Sequence, residues 1–319
     1  MTELLTKSVS THDSAEDSRN EQIKIYVNGT YYSRDEAKIS VYDSGFMMGD
    51  GVWEGLRLYN GHVAFIDDHM ARLFEAAKAI DLDIGLSPAE MKRILHETLA
   101  INAMTDGAHI RLMVTRGKKK NPFQDPRLSV YGPTIVIIPE YKVASEATIE
   151  KGLRLFTVHV HRQTPDSQDP KLNSHSKLNC ILALIQALKA GGDEALMLDP
   201  HGFVNTCNST NFFIVRKGAV WTSTGDYAMN GITRAKVIEA CKTSGIPVFE
   251  RNYSLLDTYG ADEAFVTGTF GAQTPVVEID GRTIGDGRPG PMVRRIRALY
   301  KALVAEDARR QADMSHGAR

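Results

Sequence analysis

The sequence is poor in the residues that build disulfide frameworks and metal centres. It has three cysteines, Cys180, Cys207 and Cys241, and no two of them have the CxxC spacing. A disulfide framework or a zinc site is therefore not expected, and this cysteine usage is typical of a reducing compartment. The ten histidines form no HExxH motif or similar ligand spacing, so we expect no metal ion.

Long apolar runs and an excess of charge of either sign are also missing. No stretch approaches the roughly 20 apolar residues that a membrane-spanning helix needs. Met1–Asn20 is polar and has no apolar centre of a signal peptide. The formal net charge is −1, which gives no general electrostatic footprint for nucleic acid or an anionic membrane. We therefore expect a cytoplasmic protein that binds neither of them.

What the sequence does contain is enough chain for two hydrophobic cores. Its 319 residues fit roughly two domains of about 150 residues each. A polar stretch after Tyr141 marks the expected domain boundary. The predicted segments are a disordered lead-in (1–22), a small domain (23–140), a connector (141–150), a large domain (151–305) and a flexible tail (306–319).

Local patterns predict both strands and helices. Asn28-Gly29 predicts a type I′ turn between two short strands. Ser87-Pro88 predicts the N-cap and the first residue of a helix. We expect further helices over 67–80, 178–190, 233–244 and 291–304. Strand-like alternation separates these helices, and the mixture indicates an α+β fold.

Three short segments have features of a phosphate site. Asn230–Arg234 stands at a predicted helix start, where backbone N–H groups and a threonine hydroxyl can hold an anion. Thr267–Pro275 follows a predicted strand with small residues, which let the backbone approach a ligand closely. His69–Leu73 adds an arginine on a predicted helix. Each segment taken alone is also compatible with an ordinary helix cap, turn or surface residue.

In their order and spacing these segments resemble the class IV aminotransferases, from about Ile25 to Val277. The string GDGVWEGLR at 49–57 is similar to the family's GDGVFEGIR. The resemblance implies a two-domain fold of type IV, with a small N-terminal α/β domain and a larger, β-barrel-like C-terminal α/β domain. It also implies pyridoxal 5′-phosphate (PLP) as the cofactor, bound at the domain interface, and a homodimer.

The resemblance also implies roles for individual residues. The residues implied to hold the PLP phosphate are Arg72, Ile232, Thr233 and Thr269. A guanidinium, a helix start and a hydroxyl together suit a dianion. The family pattern places the substrate carboxylate against the backbone around Thr269 and Phe270. Trp53 and Arg111 lie on segments that line the substrate pocket in relatives, although each is equally compatible with core packing.

The chain departs from the family pattern at the lysine that forms the Schiff base with PLP. The family string DPRVKSHNYLNNILAKIEA corresponds without gaps to 169–187, which puts Asn173 where the lysine should be. An amide cannot form an imine. Lys177 stands where the family often has a tyrosine that contacts the phenolic oxygen beside the PLP aldehyde. We therefore expect Lys177 to be the Schiff-base lysine and the proton shuttle between Cα and C4′.

The spacing of these two positions supports the same hypothesis. Lys177 follows Asn173 by four residues, so both side chains point the same way if a helix has begun there. Two alternatives stay open. Lys171 could form the covalent bond instead, or Lys177 could be a solvated lysine at a helix start in a protein without covalent chemistry.

A second departure concerns the pyridine nitrogen of PLP. The family string AECTGDNIF has a glutamate that keeps this nitrogen protonated, and the matching segment 205–213 has Thr206 in its place. A hydroxyl can share a hydrogen bond with the nitrogen but supplies no negative charge. We therefore expect a weaker electron sink, which could shift the outcome toward elimination, racemisation or slow transamination.

The function implied by the resemblance is transfer of an amino group between an amino acid or amine and a 2-oxo acid, with PLP as the carrier. A PLP-dependent lyase similar to aminodeoxychorismate lyase is an alternative within the family. A non-catalytic PLP-binding dimer is an alternative of a different class. The amino donor, its stereochemistry and the acceptor depend on pocket side chains that a single sequence does not place.

Overall fold

The computed structural model describes residues 10–317, and the chain folds into two compact units. Within the described residues, the small unit contains Ala15–Val143, Leu172–Lys177 and residues 306–317. The large unit contains residues 10–14, Ala144–Lys171 and Leu178–Ala305. Each unit therefore includes at least one segment that is remote in sequence from its main part.

The small unit is built on one antiparallel sheet. Its strands are β1 (Lys24–Val27), β2 (Thr30–Ser33), β3 (Gly51–Tyr59), β4 (His62–Val63), β5 (Ala108–Thr115) and β6 (Thr134–Tyr141). Its helices are α1 (Ser44–Met48), α2 (Ile66–Ala79) and α3 (Pro88–Ile101), with 3-10 turns at Ser18–Gln22 and Pro126–Leu128. The strand order is β2-β1-β6-β5-β3-β4. Asn28 and Gly29 both have positive φ, as the predicted type I′ turn requires.

Helices α2 and α3 bury their apolar faces against this sheet. Leu73 and Leu95 pack with Leu56 and Ile110 in one core, and burial of each such side chain contributes about 1.5–3 kcal/mol. Helix α3 begins as predicted, because Ser87 and Glu90 form a reciprocal capping box. The core of the small unit therefore follows from the helical and strand periodicities.

The large unit contains a longer, mixed sheet. Its strands are β7 (Leu153–Thr157), β8 (Glu194–Leu198), β9 (Val204–Cys207), β10 (Asn211–Arg216), β11 (Ala219–Thr222), β12 (Val248–Glu250), β13 (Glu263–Gly268), β14 (Ala272–Ile279) and β15 (Arg282–Thr283). Its helices are α4 (Glu146–Lys151), α5 (Pro165–Gln168), α6 (Leu178–Lys189), α7 (Ile232–Thr243), α8 (Leu255–Tyr259) and α9 (Pro291–Gly317), the last of which ends in residues of the small unit. The order is β12-β11-β10-β13-β14-β7-β8-β9, with β15 on β14.

This sheet curls, so that β9 packs beside β10. One face holds a core that includes Leu196, Phe212 and Val266. On the other face, Ala183 and Ala187 of α6 pack in a smaller cluster. The curled mixed sheet agrees with the predicted barrel-like large domain.

The structure differs from the predicted segment boundaries at the lead-in and at the tail. In the described part of the lead-in, Ser18–Gln22 is helical and Thr11 is buried. In the described part of the tail, α9 continues to Gly317, and Asp307 accepts a hydrogen bond from the Phe65 N–H at 2.7 Å. No proline or glycine interrupts 292–316, so nothing local ends the helix at Val304. Residues 1–9 and 318–319 lie outside the described residues.

The boundary between the domains also differs from the prediction. The predicted connector 141–150 contains the end of β6 and most of α4. The segment Leu172–Lys177, which the sequence placed in the large domain, belongs to the small unit. Its assignment depends on hydrogen bonds to β3, which local sequence patterns do not reveal. Throughout 10–317, no helix is both long enough and apolar enough to cross a membrane.

Candidate active site

The predicted catalytic amine lies against the amide at position 173. Lys177 Nζ donates a hydrogen bond to Asn173 Oδ1 at 3.1 Å. The same nitrogen lies 5.6 Å from the centre of the Trp53 ring. Asn173 is 2% exposed, and Lys177 is half-buried. The amine of Lys177 is therefore held at the tip of the side chain that stands in the lysine position of the family pattern.

The contact between positions 173 and 177 does not come from a helix. Helix α6 begins only at Leu178, so the helical spacing suggested by the sequence is wrong. Backbone hydrogen bonds join the segment to β3 instead, from Trp53 N–H to Asn173 O at 3.0 Å and from His175 N–H to Gly51 O at 2.9 Å. Asn173 Nδ2 also donates to Trp53 O at 2.6 Å. Main chain and side chain together fix Asn173 to the strand.

Glycine at position 49 permits this close approach. Gly49 follows α1 in the left-handed conformation, with φ of 69°. A Cβ there would lie 2.5 Å from Ser176 Oγ, which donates to Gly49 O at 3.3 Å. The first glycine of the GDGVWEGLR motif is thus required for the turn and for the seating of Leu172–Lys177.

Two cationic side chains meet at one indole ring in the small unit. Arg111 Cζ lies 4.0 Å from the Trp53 ring centre, on the same ring that Lys177 approaches. Cations placed over an indole are attracted by the ring quadrupole. The structure therefore brings together Trp53, Arg111 and Lys177, three of the residues that the sequence singled out. Their contact with a substrate stays a prediction.

A buried carboxylate fixes the orientation of Arg72. Arg72 Nε donates to Glu54 Oε1 at 2.8 Å and Nη2 donates to Oε2 at 2.6 Å, a bidentate arrangement of strong hydrogen bonds. His69 Nδ1 lies 2.6 Å from Glu54 Oε2. Burial would raise the pKa of the Glu54 carboxyl, but Arg72 and His69 hold that pKa below its ordinary value. The Arg72 guanidinium is thus an oriented cation.

In the large unit, the start of helix α7 has the properties of an anion site. Gly231 precedes the helix and has no side chain with which to cap its first N–H groups. Those groups and the positive end of the helix dipole favour a bound anion. Thr233 lies in the first turn and is 4% exposed.

Asn211 connects this helix start to the turn that follows β13. A Cβ on Gly231 would lie 2.2 Å from Asn211 Oδ1, so the two residues are in close contact. Asn211 is paired across the sheet with Thr267, and Thr269 follows two residues later. Thr267 Oγ1 is buried and has no hydrogen-bond partner within 10–317. Buried hydroxyls normally have partners, so this atom indicates a place for a ligand.

Thr206 lies in the same cluster of the large unit. Its Oγ1 donates to Thr210 O at 2.8 Å and accepts from Asn211 Nδ2 at 3.4 Å. Because the hydroxyl proton is already donated, the oxygen offers only lone pairs to a further partner. Thr206, the helix start and the turn around Thr269 thus lie around Asn211.

Comparison with known proteins identifies the family of this chain. The family described as Amino-transferase class IV matches residues 51–279. The chain belongs to the class IV aminotransferases. This confirms the family that the sequence motifs indicated, and with it the family's cofactor, PLP.

Relatives of this class IV chain include proteins named for different aminotransferase activities. Branched-chain-amino-acid aminotransferase-like protein 1 of Arabidopsis thaliana is 40% identical over 90% of this chain and 52% of its own length. A putative branched-chain-amino-acid aminotransferase of Methanocaldococcus jannaschii is 41% identical over 88% of this chain and 96% of its own. The D-alanine aminotransferase of Bacillus licheniformis is 32% identical over 90% and 99%, respectively. The chain spans about half the length of the Arabidopsis relatives that it matches.

Solved structures confirm the fold of type IV. The Escherichia coli branched-chain amino acid aminotransferase superposes with a TM-score of 0.84 at 28% identity, over 89% of this chain and 95% of that one. The T.th. branched-chain amino acid aminotransferase with pyridoxamine 5′-phosphate gives a TM-score of 0.83 at 30% identity, with the same coverage. The predicted two-domain class IV architecture is therefore correct.

The residues of the large unit fit the phosphate of PLP. The helix start after Gly231, the buried Thr233 and the hydroxyl of Thr267 supply donors on neighbouring elements. Thr269 and Phe270 follow in the turn between β13 and β14. The individual roles of these residues stay predictions.

Covalent binding of PLP requires a lysine, and position 173 does not provide one. Asn173 supplies an amide, which cannot bind an aldehyde covalently. Lys177 is held against it at 3.1 Å, whereas Lys171 is exposed on the large unit, with its N–H donated to Asp169 Oδ1. This geometry favours Lys177 over Lys171.

Sequence reasoning missed the residues that support this site. Glu54, His69, Thr267 and Asn211 lie within segments that the sequence pointed to, but none of the four was given a role. The sequence did contain a signal for Glu54. Glu54 is two residues from both Val52 and Leu56 on β3, so all three side chains lie on the same face of the strand, which is the buried one. A carboxylate at such a position needs a cation, and Arg72 provides it.

Proposed function

We propose that this chain is a PLP-dependent aminotransferase that moves an amino group between an amino acid, or an amine, and a 2-oxo acid. The observation that carries the proposal is the hydrogen bond of 3.1 Å between Lys177 Nζ and Asn173 Oδ1. It holds a primary amine at the tip of the side chain that replaces the family lysine. The family motif lacks its lysine at position 173, and the amine of Lys177 is held beside that position.

Lys177 and Asn173 have separate roles in the proposed reaction. PLP, when bound, supplies an aldehyde and an electron-withdrawing ring on which amino transfer depends. Lys177 would hold that aldehyde covalently, with release of water, and would move the transferred proton at Nζ. Asn173 orients Nζ by accepting its hydrogen bond.

Phosphate and carboxylate groups are assigned to other residues. Ile232, Thr233 and Thr269 would hold the PLP phosphate, and Arg72 would contribute its oriented guanidinium. The backbone of Thr269 and Phe270 receives the substrate carboxylate. Trp53 and Arg111 line the substrate pocket. The donor sets of the helix start and of the bidentate Arg72–Glu54 pair support these roles.

Thr206 limits the rate of the proposed reaction. Its hydroxyl proton is donated to Thr210 O at 2.8 Å, so Thr206 offers the pyridine nitrogen neither a proton nor a negative charge. The ring is then less often protonated and withdraws electrons less strongly. We therefore expect slower transamination than a glutamate at this position would give, with elimination, as in a lyase of this family, as a side reaction.

The names of the relatives suggest two classes of amino donor. Branched-chain amino acids and D-alanine are the donors to test first, each with a 2-oxo acid acceptor. Chirality of the amino product, measured by chromatography on a chiral phase, separates the two classes.

Borohydride reduction tests the covalent role of Lys177. We expect mass spectrometry of the reduced, digested holoprotein to show one pyridoxyl adduct, on Lys177. The variant Lys177→Gln should give no adduct, and the matched variant Lys171→Gln should give the same adduct as the wild type. An adduct on Lys171, or none in the wild type, would contradict the proposal.

A non-catalytic PLP-binding protein is the second candidate, favoured by the loss of both Lys at position 173 and Glu at position 206. The visible absorbance of the holoprotein separates the two functions. An enzyme should lose its long-wavelength band when an amino donor is added. A spectrum of the free aldehyde that no donor changes would support the binding protein.

We further propose that the protein is a homodimer and is cytoplasmic. Leu178, Ile181, Leu182 and Ile185 are exposed on one face of α6, at the spacing of an apolar helix stripe. All three cysteines carry free thiols, which fits a reducing compartment. Sedimentation of the wild type and of Leu182→Glu should show a dimer and a weakened dimer, respectively. A wild type that sediments as a monomer rejects the dimer.

A further inference from the structure

A compact turn at Ser10–Asp13 belongs to the large unit. Asp13 N–H donates to Ser10 O at 3.0 Å, and Ser10 N–H donates to Asp13 Oδ2 at 2.7 Å. His12 N–H donates to Ser10 Oγ at 3.1 Å. These three hydrogen bonds close the segment on itself. We call these four residues the N-terminal turn.

Thr11 anchors the N-terminal turn to a buried carboxylate. Thr11 is 5% exposed, and its Oγ1 donates to Glu194 Oε1 at 2.8 Å. Glu194 also accepts from Ser209 Oγ at 2.6 Å and from Thr210 Oγ1 at 2.7 Å. A buried carboxylate loses stabilisation when a donor is removed, because no water replaces it. The hydroxyl of Thr11 therefore attaches the N-terminal turn to Glu194 of β8.

His12 and the Thr11 carbonyl contact the turn between β13 and β14. The His12 ring is parallel to the Phe270 ring, with 9° between the planes and 6.3 Å between the centroids. Thr11 O would lie 3.4 Å from a Cβ on Gly271. The N-terminal turn thus lies against the two residues that follow Thr269.

The turn between β13 and β14 benefits from this support. Only Thr269–Gly271 separate the paired residues Gly268 and Ala272. Ala272 has φ of 52°, in the left-handed region that a residue with a Cβ rarely adopts. Such a conformation persists when surrounding contacts hold it, and the N-terminal turn supplies such contacts from outside the hairpin.

We propose that Thr11 and His12 are positioning residues for the substrate carboxylate. They hold the backbone of Phe270 and Gly271 in the conformation that receives the carboxylate. The inference rests on the proposed function, because that function assigns the carboxylate to Thr269 and Phe270. Neither residue takes part in the chemistry.

A positioning role of this kind predicts a specific kinetic change. The carboxylate is bound equally in the ground state and in the transition state, so weaker positioning raises KM and leaves kcat unchanged. We expect KM for the amino donor to rise roughly fivefold to tenfold, the factor that corresponds to one lost hydrogen bond. Affinity for PLP should change less than KM, because Thr269 is the one residue of this turn that the proposed function assigns to the phosphate.

The experiment compares disruptive and conservative substitutions at the same positions. Thr11→Val removes the hydroxyl and His12→Ala removes the ring, whereas Thr11→Ser and His12→Phe keep them. The exposed Glu16 gives a matched control in the same segment as Glu16→Gln. We expect the disruptive pair to raise KM, and the conservative pair and the control to match the wild type. An unchanged KM in the double variant Thr11→Val, His12→Ala overturns the inference.

Hydrogen exchange gives a readout that does not need turnover. Amides of 269–272 should exchange faster in the double variant than in the wild type, because their turn opens more often. Equal exchange overturns the inference, as does a variant in which kcat falls while KM stays constant. If the wild type itself has no transaminase activity, the proposed function fails. The dissociation constant for 4-methylvalerate, a simple carboxylate, then replaces KM in the same comparison.

Discussion

The phosphate region of the large unit and the amine segment of the small unit have departed from the family pattern to different degrees. Around Gly231 and Thr267, the helix start, the small residues and the hydroxyls that the pattern requires are all present. In Leu172–Lys177, backbone hydrogen bonds join the segment to β3, but Asn173 stands at the position of the family lysine and Lys177 follows four residues later. The proposed function uses backbone N–H groups in the first region and one side-chain amine in the second.

Backbone donors and a side-chain amine differ in how easily they can be supplied from another position in the sequence. Backbone donors at a helix start change place only if the helix itself is rebuilt. A lysine has four flexible methylene groups, so its amine can approach one point from more than one position. In the proposed function Asn173 has only to hold that amine, which an amide oxygen can do.

Removal of the Lys177 amine should have the largest effect on activity. Without Lys177 Nζ, neither covalent binding nor proton transfer at that atom is possible, so Lys177→Met should lower the rate of amino transfer by about a thousandfold. Single-turnover mixing of the holoprotein with an amino donor measures this rate. Lys171→Met is the matched control and should keep wild-type activity. A fully active Lys177→Met protein would contradict the assignment.

Loss of the buried carboxylate should have the next largest effect. Glu54→Gln removes the charge that pairs with Arg72, and loss of one partner of a buried ion pair costs about 3 kcal/mol or more. Urea unfolding of the two proteins measures this change. The exposed pair Arg93–Glu97 gives a control, since Glu97→Gln should cost less than about 0.5 kcal/mol. Equal stability losses in the two variants would mean that burial of Glu54 is unimportant.

Gly231→Ala should damage the phosphate region and leave the amine segment intact. Its Cβ would lie 2.2 Å from Asn211 Oδ1, so the helix start must shift, at a cost of about 1–3 kcal/mol. We expect PLP affinity to fall by about tenfold, which corresponds to 1.4 kcal/mol. Equilibrium dialysis measures the affinity. Gly260→Ala, where a Cβ meets only ordinary contacts, should bind PLP as the wild type does.

His175 should give the smallest effect, visible only as a dependence on pH. Burial lowers the pKa of His175 below its ordinary value of 6.5. The unfolded chain then binds this proton more readily, so the stability from neutral His175 is present above pH 6.5 and is lost as the pH falls toward the lowered pKa. His175→Gln should flatten the fall in unfolding free energy between about pH 7 and 5, by less than about 1.4 kcal/mol per unit. Parallel curves for both proteins would rule this out.

Much of the fold could be predicted from sequence because its signals are local. The capping box at Ser87 and the type I′ turn at Asn28-Gly29 each depend on residues within four positions of one another. The helix start at Ile232 was predicted within one residue for the same reason. The family motifs added the overall arrangement, which the solved structures confirm.

The missed parts depend on contacts between residues that are distant in sequence. Thr11 and Glu194 are separated by 183 positions, so composition alone made the lead-in look disordered. Asn173 and Lys177 do meet, but through pairing with Trp53 and not through the helical spacing that suggested it. Their contact was predicted from a premise that the structure does not support.

The shared indole of Trp53 has a consequence for the response of the small unit to ionic strength. The separations of 4.0 Å to Arg111 Cζ and 5.6 Å to Lys177 Nζ are shorter than the screening length of about 8 Å in a physiological salt solution. Dissolved ions therefore weaken these contacts much less than they weaken the long-range field of surface charges. The two cations should therefore stay at this ring in a salt solution of physiological strength.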